Sequence, residues 1–168
     1  MKYCYECGTP LTLRFLEQEG DTPYCEKCGC WRFPIFSTAV SMIVLSPDRS
    51  KILLIQQYGR PSNILVAGYV SKGESAEQTV VREVQEEIGL SVNSLCFNRS
   101  EYFAKSNTLM LNFSCTATSE SLEHLNRQEV DQAAWFSWED AEKAIRPDSL
   151  AQRFLLHFLE RHRPDSGT

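Results

Sequence analysis

The segment from Ser75 to Leu90 constrains the fold more than any other part of the chain, because it encodes one long helix with both ends marked. Ser75 followed by Gln78 forms a capping-box pattern, and Gly89 stands where a helix commonly stops. Apolar residues recur every fourth position and predict the face that packs on the core: Ala76, Val80, Val84 and Ile88. Such an amphipathic helix must lie against another layer of structure.

The same helix carries three acidic residues on one face. Glu83, Glu86 and Glu87 stand at positions i, i+3 and i+4, so their Cβ atoms are expected about 5–6 Å apart. Like charges this close repel, unless a hard cation such as Mg²⁺ or Mn²⁺ coordinates them. Such a cation can neutralise a diphosphate and activate water as a nucleophile. For an ExxEE motif alone, a solvated acidic face is the more ordinary interpretation.

Short β-favouring segments lie on both sides of this helix. Before it, a hairpin is predicted from 36–45 and 51–58 around the turn at 47–50, followed by a strand at 64–70. After it, Leu109 to Cys115 alternates as a half-buried strand does, and helices are expected from Ser137 to Ile145 and from near Ser149. Strands alternating with helices predict a mixed α/β domain over residues 35–164. Residues 165–168 are expected to form a disordered tail.

Residues 1–34 form a separate module that is rich in cysteine. Two CxxC pairs, each followed by glycine, supply four thiolates at a spacing that suits tetrahedral Zn²⁺: Cys4, Cys7, Cys25 and Cys28. A redox role for either pair is the alternative. Cys30 is a bystander or a competing ligand. Cys96 and Cys115 lie in apolar surroundings and are predicted to be buried packing residues.

Charge and hydropathy restrict the classes of function. The chain has 17 basic and 22 acidic side chains, a net charge of −5, which argues against a protein whose main role is to bind nucleic-acid backbone. The first 34 residues likewise carry four basic against five acidic groups, whereas a ribbon that binds DNA is expected to be basic. The most apolar stretch, 39–45, is too short to span a membrane, and no secretory leader is evident, so we expect a cytoplasmic protein.

The segment from Gly68 to Leu90 resembles the Nudix box, G-x5-E-x7-R-E-U-x-E-E-x-G-U with U aliphatic, at every fixed position. The resemblance implies a Nudix α/β/α sandwich with a mixed β-sheet, preceded here by a small N-terminal zinc ribbon. It implies that Glu83 and Glu87 are the principal ligands of a catalytic Mg²⁺ or Mn²⁺ and that Glu86 assists metal or water binding. It further assigns a metal contact to the carbonyl of Ala67, a turn beside the metal to Gly68, and a brace to the pair Glu74 and Arg82.

A zinc ribbon ahead of a Nudix box is similar to the NADH pyrophosphatase family. That family has an array S-Q-P-W-P-F-P-x-S-L-M, which corresponds here to residues 100–110, with Ser100, Leu109 and Met110 retained and the prolines absent. Residues 129–136 and 149–151 resemble two later family stretches, and an aromatic follows the box glycine. The resemblance implies a glutamate that completes the metal site, Glu129, and substrate contacts from Tyr69, Glu101, Phe103, Lys105, Thr108, Glu129 and Ala151.

The expected activity is therefore metal-dependent hydrolysis of NADH or NAD to nicotinamide mononucleotide and AMP, with removal of an NAD cap from RNA as an extension. The same chemistry on ADP-ribose or FAD is the alternative substrate assignment. A nucleotide-sensing or nucleic-acid-binding protein without catalysis is the alternative class. The family resemblance also implies a homodimer, and the separate N-terminal domain of longer members is absent from this sequence. Neither DNA nor a membrane is expected as a partner.

Overall fold

The computed structural model describes residues 1–162, so the predicted tail at 165–168 lies outside the described residues. The chain forms two compact units, one spanning Met1–Phe36 and a second that begins at Ser37.

The first unit is a three-stranded antiparallel sheet in the order β1 (Thr12–Leu16), β2 (Gly20–Cys25) and β3 (Cys30–Trp31). Most of its side chains are exposed, and its buried positions include Cys4 and Cys25. The rings of Tyr24 and Trp31 pack edge to face across β2 and β3, with centroids 5.1 Å apart. So small an apolar core supplies little stability by itself, and a metal ion held by the cysteines would supply much of the rest.

The second unit is built on a six-stranded sheet of β4 (Ser37–Leu45), β5 (Lys51–Gln56), β6 (Val66–Tyr69), β7 (Val92–Phe103), β8 (Thr108–Ala117) and β9 (Gln132–Ser137). Five strands follow the order β7-β8-β4-β5-β9, and β6 pairs with β4. The strands β4 and β8 are parallel from Ser37↔Thr108 to Leu45↔Thr116, and the other pairings are antiparallel. The predicted mixed sheet is confirmed.

Helices cover both faces of this sheet. The residues of β4 alternate between two cores: Val40, Met42 and Val44 pack with α1 (Ala76–Ile88), and Ile43 and Leu45 pack with α2 (Trp138–Ala144) and α3 (Leu150–His162). The three-layer α/β/α arrangement is therefore confirmed. Among the helices of residues 1–162, none has the length and apolar character needed to cross a membrane.

The 12-residue strand β7 was not evident in the sequence. Its pairing with β8 shifts register between Asn93 and Cys96 and again between Phe97 and Arg99, and Ser94 has a positive φ of 51°. These irregularities interrupt the alternation of apolar and polar residues by which a strand is identified. They also leave Cys96 exposed, so the prediction that Cys96 is buried was wrong, whereas Cys115 is buried as predicted.

The helix α1 ends as its sequence predicts. The hydroxyl of Ser75 accepts from the Gln78 amide at 3.2 Å, and the Gln78 side chain accepts from the Ser75 amide at 2.8 Å. At the other end, Gly89 has a φ of 76° and its amide donates to the Gln85 carbonyl. A Cβ at Gly89 would lie 2.5 Å from Cβ of His124 and 2.8 Å from its carbonyl oxygen. Both the backbone conformation and the close packing require glycine here.

We predict that Gly89→Ala destabilises the protein more than Gly59→Ala. Gly59 has a similar φ of 66° but open space around its Cα, so alanine there adds only the left-handed strain of about 1–2 kcal/mol. At Gly89 the new methyl group would also collide with His124, and this steric overlap should lower the free energy of unfolding by a further amount of about 1–3 kcal/mol. Urea unfolding of both variants measures the difference. Equal losses in the two variants would contradict the close contact at His124.

Candidate active site

A cavity of about 470 Å³ lies beside the Nudix-box segment in the second unit. Four residues assigned to the metal or substrate site from the sequence line it: Ala67, Tyr69, Glu83 and Glu87. The remaining lining residues are Ala39, Tyr58, Gly68, Ser71, Arg82 and Met110. Strand β6 supplies the first two of these site residues, and α1 supplies the two glutamates. The cavity therefore forms where the end of a short strand faces one side of a long helix.

Gly68 allows α1 to approach β6 closely. A Cβ on this residue would lie 1.9 Å from Cδ and 2.1 Å from Oε1 of Glu83, which no side chain tolerates without moving the carboxylate. Its φ lies outside the left-handed region. The turn predicted for Gly68 is therefore not the reason for glycine at this position. The reason is that only glycine leaves room for the Glu83 carboxylate against the strand.

Arg82 connects the loop before α1 to the acidic face of the helix. Its Nε and Nη2 atoms contact the two carboxylate oxygens of Glu74 at 2.6 and 2.9 Å, which confirms the predicted ion pair. Its Nη1 lies 2.8 Å from Glu83 and 2.9 Å from Glu86, and Nη2 donates to the Tyr69 carbonyl. Hydrogen bonding from Arg82 lowers the pKa of Glu74 to about 2. One guanidinium thus contacts three carboxylates and fixes the cavity wall.

Glu87 is an acidic side chain held inside the protein. It is 5% exposed, and its Oε1 accepts from Nε2 of Gln57 at 3.2 Å. Within residues 1–162, its Oε2 is buried and has no hydrogen-bond partner. Burial raises the pKa of Glu87 to about 7, with the charges of Glu83 and Glu129 adding to the effect and the Gln57 hydrogen bond opposing it. A buried carboxylate oxygen without a partner costs free energy unless a cation completes it.

The other acidic residues act electrostatically on Glu83 and Glu87. Burial raises the pKa of Glu83, although its contact with Arg82 acts in the opposite direction. The negative charges of Glu86 and Glu129 act on both Glu83 and Glu87, so the loop glutamate predicted from the sequence lies within electrostatic reach of the helix pair. A cluster of hard oxygen donors with an unsatisfied buried oxygen fits Mg²⁺ or Mn²⁺. The residues present therefore fit the divalent cation that the Nudix box implies.

A second cavity, of about 630 Å³, lies at the end of β7. Three of the substrate contacts predicted from the sequence line it: Glu101, Phe103 and Lys105. The remaining lining residues are Tyr102, Ala104, Arg146, Pro147, Asp148, Ser149, Leu150 and Arg153. The carboxylate of Glu101 accepts from Nε of Arg153 at 3.0 Å. This ion pair joins β7 to α3 at the cavity wall.

Two of the predicted substrate contacts occupy less accessible positions. Thr108 is 1% exposed, and its hydroxyl donates to the Ser106 carbonyl at 3.0 Å, which stabilises the turn between β7 and β8. Ala151 is partly buried and packs against the core formed by α2 and α3. Its chain neighbours Ser149 and Leu150 line the second cavity.

The four cysteines of the first unit converge. The Sγ atoms of Cys4, Cys7, Cys25 and Cys28 all lie within 4.8 Å of one another. Burial opposes ionisation of Cys4, but the backbone amides of Cys7 and Glu6 and the Arg32 guanidinium lower its pKa to about 6. The Nε of Arg32, which is 6% exposed, donates to the Cys4 sulfur at 3.2 Å. Four converging sulfurs with one thiolate already stabilised fit a structural Zn²⁺ site.

Cys30 lies at the edge of this cluster. Its sulfur forms a second group with Cys28 and a carboxylate oxygen of Glu6, in which the ligand atoms lie within 4.8 Å of one another. Cys30 is paired with Cys25 across β2 and β3. Cys30 thus lies outside the group of four cysteines but close enough to Cys28 to compete as a ligand.

The sequence did not reveal the contribution of Gln57 and Tyr58. It predicted one strand from 51 to 58, whereas β5 ends at Gln56 and the next residues turn toward the acidic cluster. The dipeptide Tyr58-Gly59 between two β-segments is a weak turn signal, and it could have indicated that the strand ends before Tyr58. No local pattern indicates the contact of Gln57 with Glu87, because 30 residues separate the two.

Comparison with known proteins agrees with this geometry. The NAD-capped RNA hydrolase NudC of Pseudomonas aeruginosa is 31% identical over 162 residues, which are 95% of this chain and 56% of that protein. The mitochondrial NAD(P)H pyrophosphatase NUDT13 of Mus musculus is 29% identical over 150 residues, 86% of this chain and 41% of that protein. The chain thus spans about half the length of the curated relatives it matches.

Solved structures show the same fold. A NUDIX hydrolase from Nitrosomonas europaea superposes with a TM-score of 0.66 at 19% identity, covering 96% of this chain and 92% of that one. The NUDIX domain of Shewanella oneidensis NrtR, solved with ADP ribose, gives a TM-score of 0.62 at 19% identity, covering 82% and 93%. The family model described as NUDIX domain matches residues 36–158. The chain therefore belongs to the NUDIX domain family.

Proposed function

We propose that the chain is a divalent-metal-dependent hydrolase that cleaves the pyrophosphate of NADH or NAD, giving nicotinamide mononucleotide and AMP. The observation that carries the proposal is the unpartnered buried oxygen of Glu87, which lies beside Glu83 in the wall of an open cavity. A solvated acidic face would leave these carboxylates exposed to water. Their burial favours a cation site instead.

Five groups would hold the cation: the carboxylates of Glu83, Glu86, Glu87 and Glu129 and the carbonyl of Ala67. When bound, Mg²⁺ or Mn²⁺ neutralises phosphate oxygens and lowers the pKa of water that attacks phosphorus. Arg82 fixes the positions of Glu83 and Glu86 through its two contacts. Gln57 holds one oxygen of Glu87 and leaves the other free. Hydrolysis adds water to one phosphorus and breaks the bridging P–O bond, so that each product keeps one phosphate.

The sheet offers a surface long enough for a dinucleotide. Glu101, Met110, Ala39 and Tyr69 are successive register partners across β7, β8, β4 and β6, so their side chains share one face. Three strand spacings of about 4.8 Å place the ends of this row about 14 Å apart. Tyr69 lies in the cavity of the acidic cluster, and Glu101 lies in the second cavity. The row lies on the face of the sheet that meets α2 and α3, and it reaches the carboxylates of α1 through the cavity that Ala39, Tyr69 and Met110 line. A substrate with two nucleotide halves can therefore extend from this cavity along the row to the second one.

The names of the relatives favour the same substrate class. One is named for NAD-capped RNA and the other for NAD(P)H. Removal of an NAD cap breaks the same pyrophosphate bond, so we propose it as an extension of this activity.

Similarity to this family also leads us to propose a homodimer. We further propose that the four converging thiols hold Zn²⁺ and that the protein works in a reducing cytoplasm, where such thiols stay reduced.

ADP-ribose and FAD form the second set of candidate substrates. The array lacks the prolines of the NADH pyrophosphatase family, and it places charged Glu101 and Lys105 in the wall of the second cavity. A wall that is more polar and less rigid selects less strictly for nicotinamide. A sensor without catalysis is disfavoured, because the sequence keeps every glutamate of the Nudix box and because Glu83 and Glu87 line an accessible cavity.

A product-resolved screen tests the proposal. NADH, NAD, ADP-ribose, FAD and dinucleoside polyphosphates would each be incubated with Mg²⁺ and with Mn²⁺, and the products separated by chromatography. We expect nicotinamide mononucleotide and AMP from NADH, with activity extending to other dinucleotides. An absence of hydrolysis for every substrate with either metal would contradict the proposal.

Glu87→Gln is expected to reduce hydrolysis by orders of magnitude while the fold is retained. The substitution keeps the side-chain shape and removes the buried charge, so the metal-free protein should melt at the same temperature or higher. The rise in melting temperature on addition of Mn²⁺ should become smaller. Glu77→Gln, an exposed residue in the first turn of α1, is the matched control and should retain both properties. Wild-type turnover in a folded Glu87→Gln variant would remove Glu87 from the metal site.

Cys25→Ser is expected to release zinc and loosen the first unit, because one thiolate is lost from a four-ligand structural site. Metal analysis of the native protein should find about one Zn²⁺ per chain, as four thiolates predict. The exposed Cys96, in the second unit, provides the control, and Cys96→Ser should leave the zinc content unchanged. Disulfides without zinc in freshly reduced native protein would overturn the assignment.

A further inference from the structure

A tight turn after β5 holds an aromatic residue in an unfavourable backbone conformation. The amide of Arg60 donates to the Gln57 carbonyl at 3.2 Å, and mutual hydrogen bonds between Ile55 and Ile64 close the loop. Both central residues have positive φ angles, 59° at Tyr58 and 66° at Gly59. This combination is that of a type I′ turn, which favours asparagine, aspartate or glycine at both central positions.

Tyrosine at the first central position costs about 1–2 kcal/mol of conformational free energy relative to glycine. Packing does not offset this cost, because Tyr58 is 80% exposed. Folding alone therefore does not account for an aromatic residue here. Residues held in such conformations concentrate at functional sites, where the surrounding structure fixes them.

The contacts of the turn attach it to the acidic cluster. On one side of Tyr58, Gln57 donates to the buried carboxylate of Glu87. On the other side, the amide of Gly59 donates to Oδ2 of Asp131 at 2.7 Å, two residues after Glu129. The position of Tyr58 is thus set from both neighbours by groups at or next to the proposed metal site.

Tyr58 and Tyr69 line the same cavity as Glu83 and Glu87. Both tyrosines are exposed, Tyr69 by 59% and Tyr58 by 80%, so each has a ring free for a ligand. Tyr58 follows β5 and Tyr69 ends β6, so different segments of the chain supply the two rings. Residues 100–110, which correspond to the array of the NADH pyrophosphatase family, contain no tryptophan.

We propose that Tyr58 is a substrate-binding residue whose ring stacks on a base of the dinucleotide at the acidic cavity. This inference rests on the proposed function and adds to it a residue that determines affinity for flat aromatic groups. Its turn presents the ring at the mouth of the cavity, and the left-handed conformation is the cost of that placement. Stacking on an exposed tyrosine is tolerant of base identity, so it would permit the range of dinucleotide substrates proposed above.

Two substitutions separate the ring from the backbone. Tyr58→Asn removes the ring and relieves the turn, so we expect an equal or higher melting temperature together with a loss in kcat/KM for NADH of roughly five- to hundredfold, carried mainly by KM. Tyr58→Phe keeps the ring and should stay within about twofold of wild type, since stacking needs the ring and not the hydroxyl. Tyr69→Ala gives a loss of the same order for comparison.

Arg49→Asn is the matched control for the backbone effect. Arg49 has a φ of 60° in the turn between β4 and β5 and lies outside the residues that line the cavity. This variant should gain stability as Tyr58→Asn does and keep the wild-type KM. Wild-type kinetics in Tyr58→Asn with an active native enzyme would overturn the role of Tyr58 and leave the proposed function standing. Absence of hydrolysis by the native enzyme would overturn both.

Discussion

The arrangement of the second unit depends on two acidic side chains that are held partly out of water. Glu83 and Glu87 occupy the face of α1 that meets β6, and burial raises the pKa of both carboxyl groups. Three nearby residues contribute little to the apolar core but accommodate these two carboxylates. Gly68 removes a Cβ where Glu83 must lie, Arg82 supplies the nearby positive charge, and Gln57 satisfies one oxygen of Glu87. A divalent cation would coordinate the remaining oxygen of Glu87. It would also replace the repulsion between the two negative carboxylates by shared coordination of one positive ion.

The sheet also connects the cavity at the carboxylates to the second cavity. Because β4 pairs with both β6 and β8, one row of side chains runs from the cavity at the carboxylates to the cavity at the end of β7. The first cavity offers exposed rings from Tyr58 and Tyr69, and the second offers cationic groups and the pair of Glu101 with Arg153. A metal ion held by the cysteine cluster of the first unit would stabilise a segment that has little apolar core.

Local signals made much of this predictable. Three predictions depended only on spacing over a few residues: the two caps of α1, the buried face with Val80 and Val84, and the two CxxC pairs. The structure contains the caps and the buried face, and it brings the four cysteines of the pairs together. Features that depend on long-range geometry were missed or misassigned. Bulges obscured β7, the contact of Gln57 with Glu87 joins residues far apart in sequence, and the reason for glycine at Gly68 is visible only once α1 lies against β6. Tyr58 was assigned to a strand because a hydrophobic pattern does not report a positive φ.

The central claim is that the buried carboxylates form a divalent-cation site. Anomalous diffraction from crystals soaked in Mn²⁺ measures this directly, because the metal position is located independently of any assumed ligand. We expect a Mn²⁺ peak within coordination distance of the carboxylates of Glu83 and Glu87 and of the Ala67 carbonyl, with the free oxygen of Glu87 as one ligand. A map at saturating Mn²⁺ with no peak at this cluster, and with the Glu87 oxygen still without a partner, would contradict it.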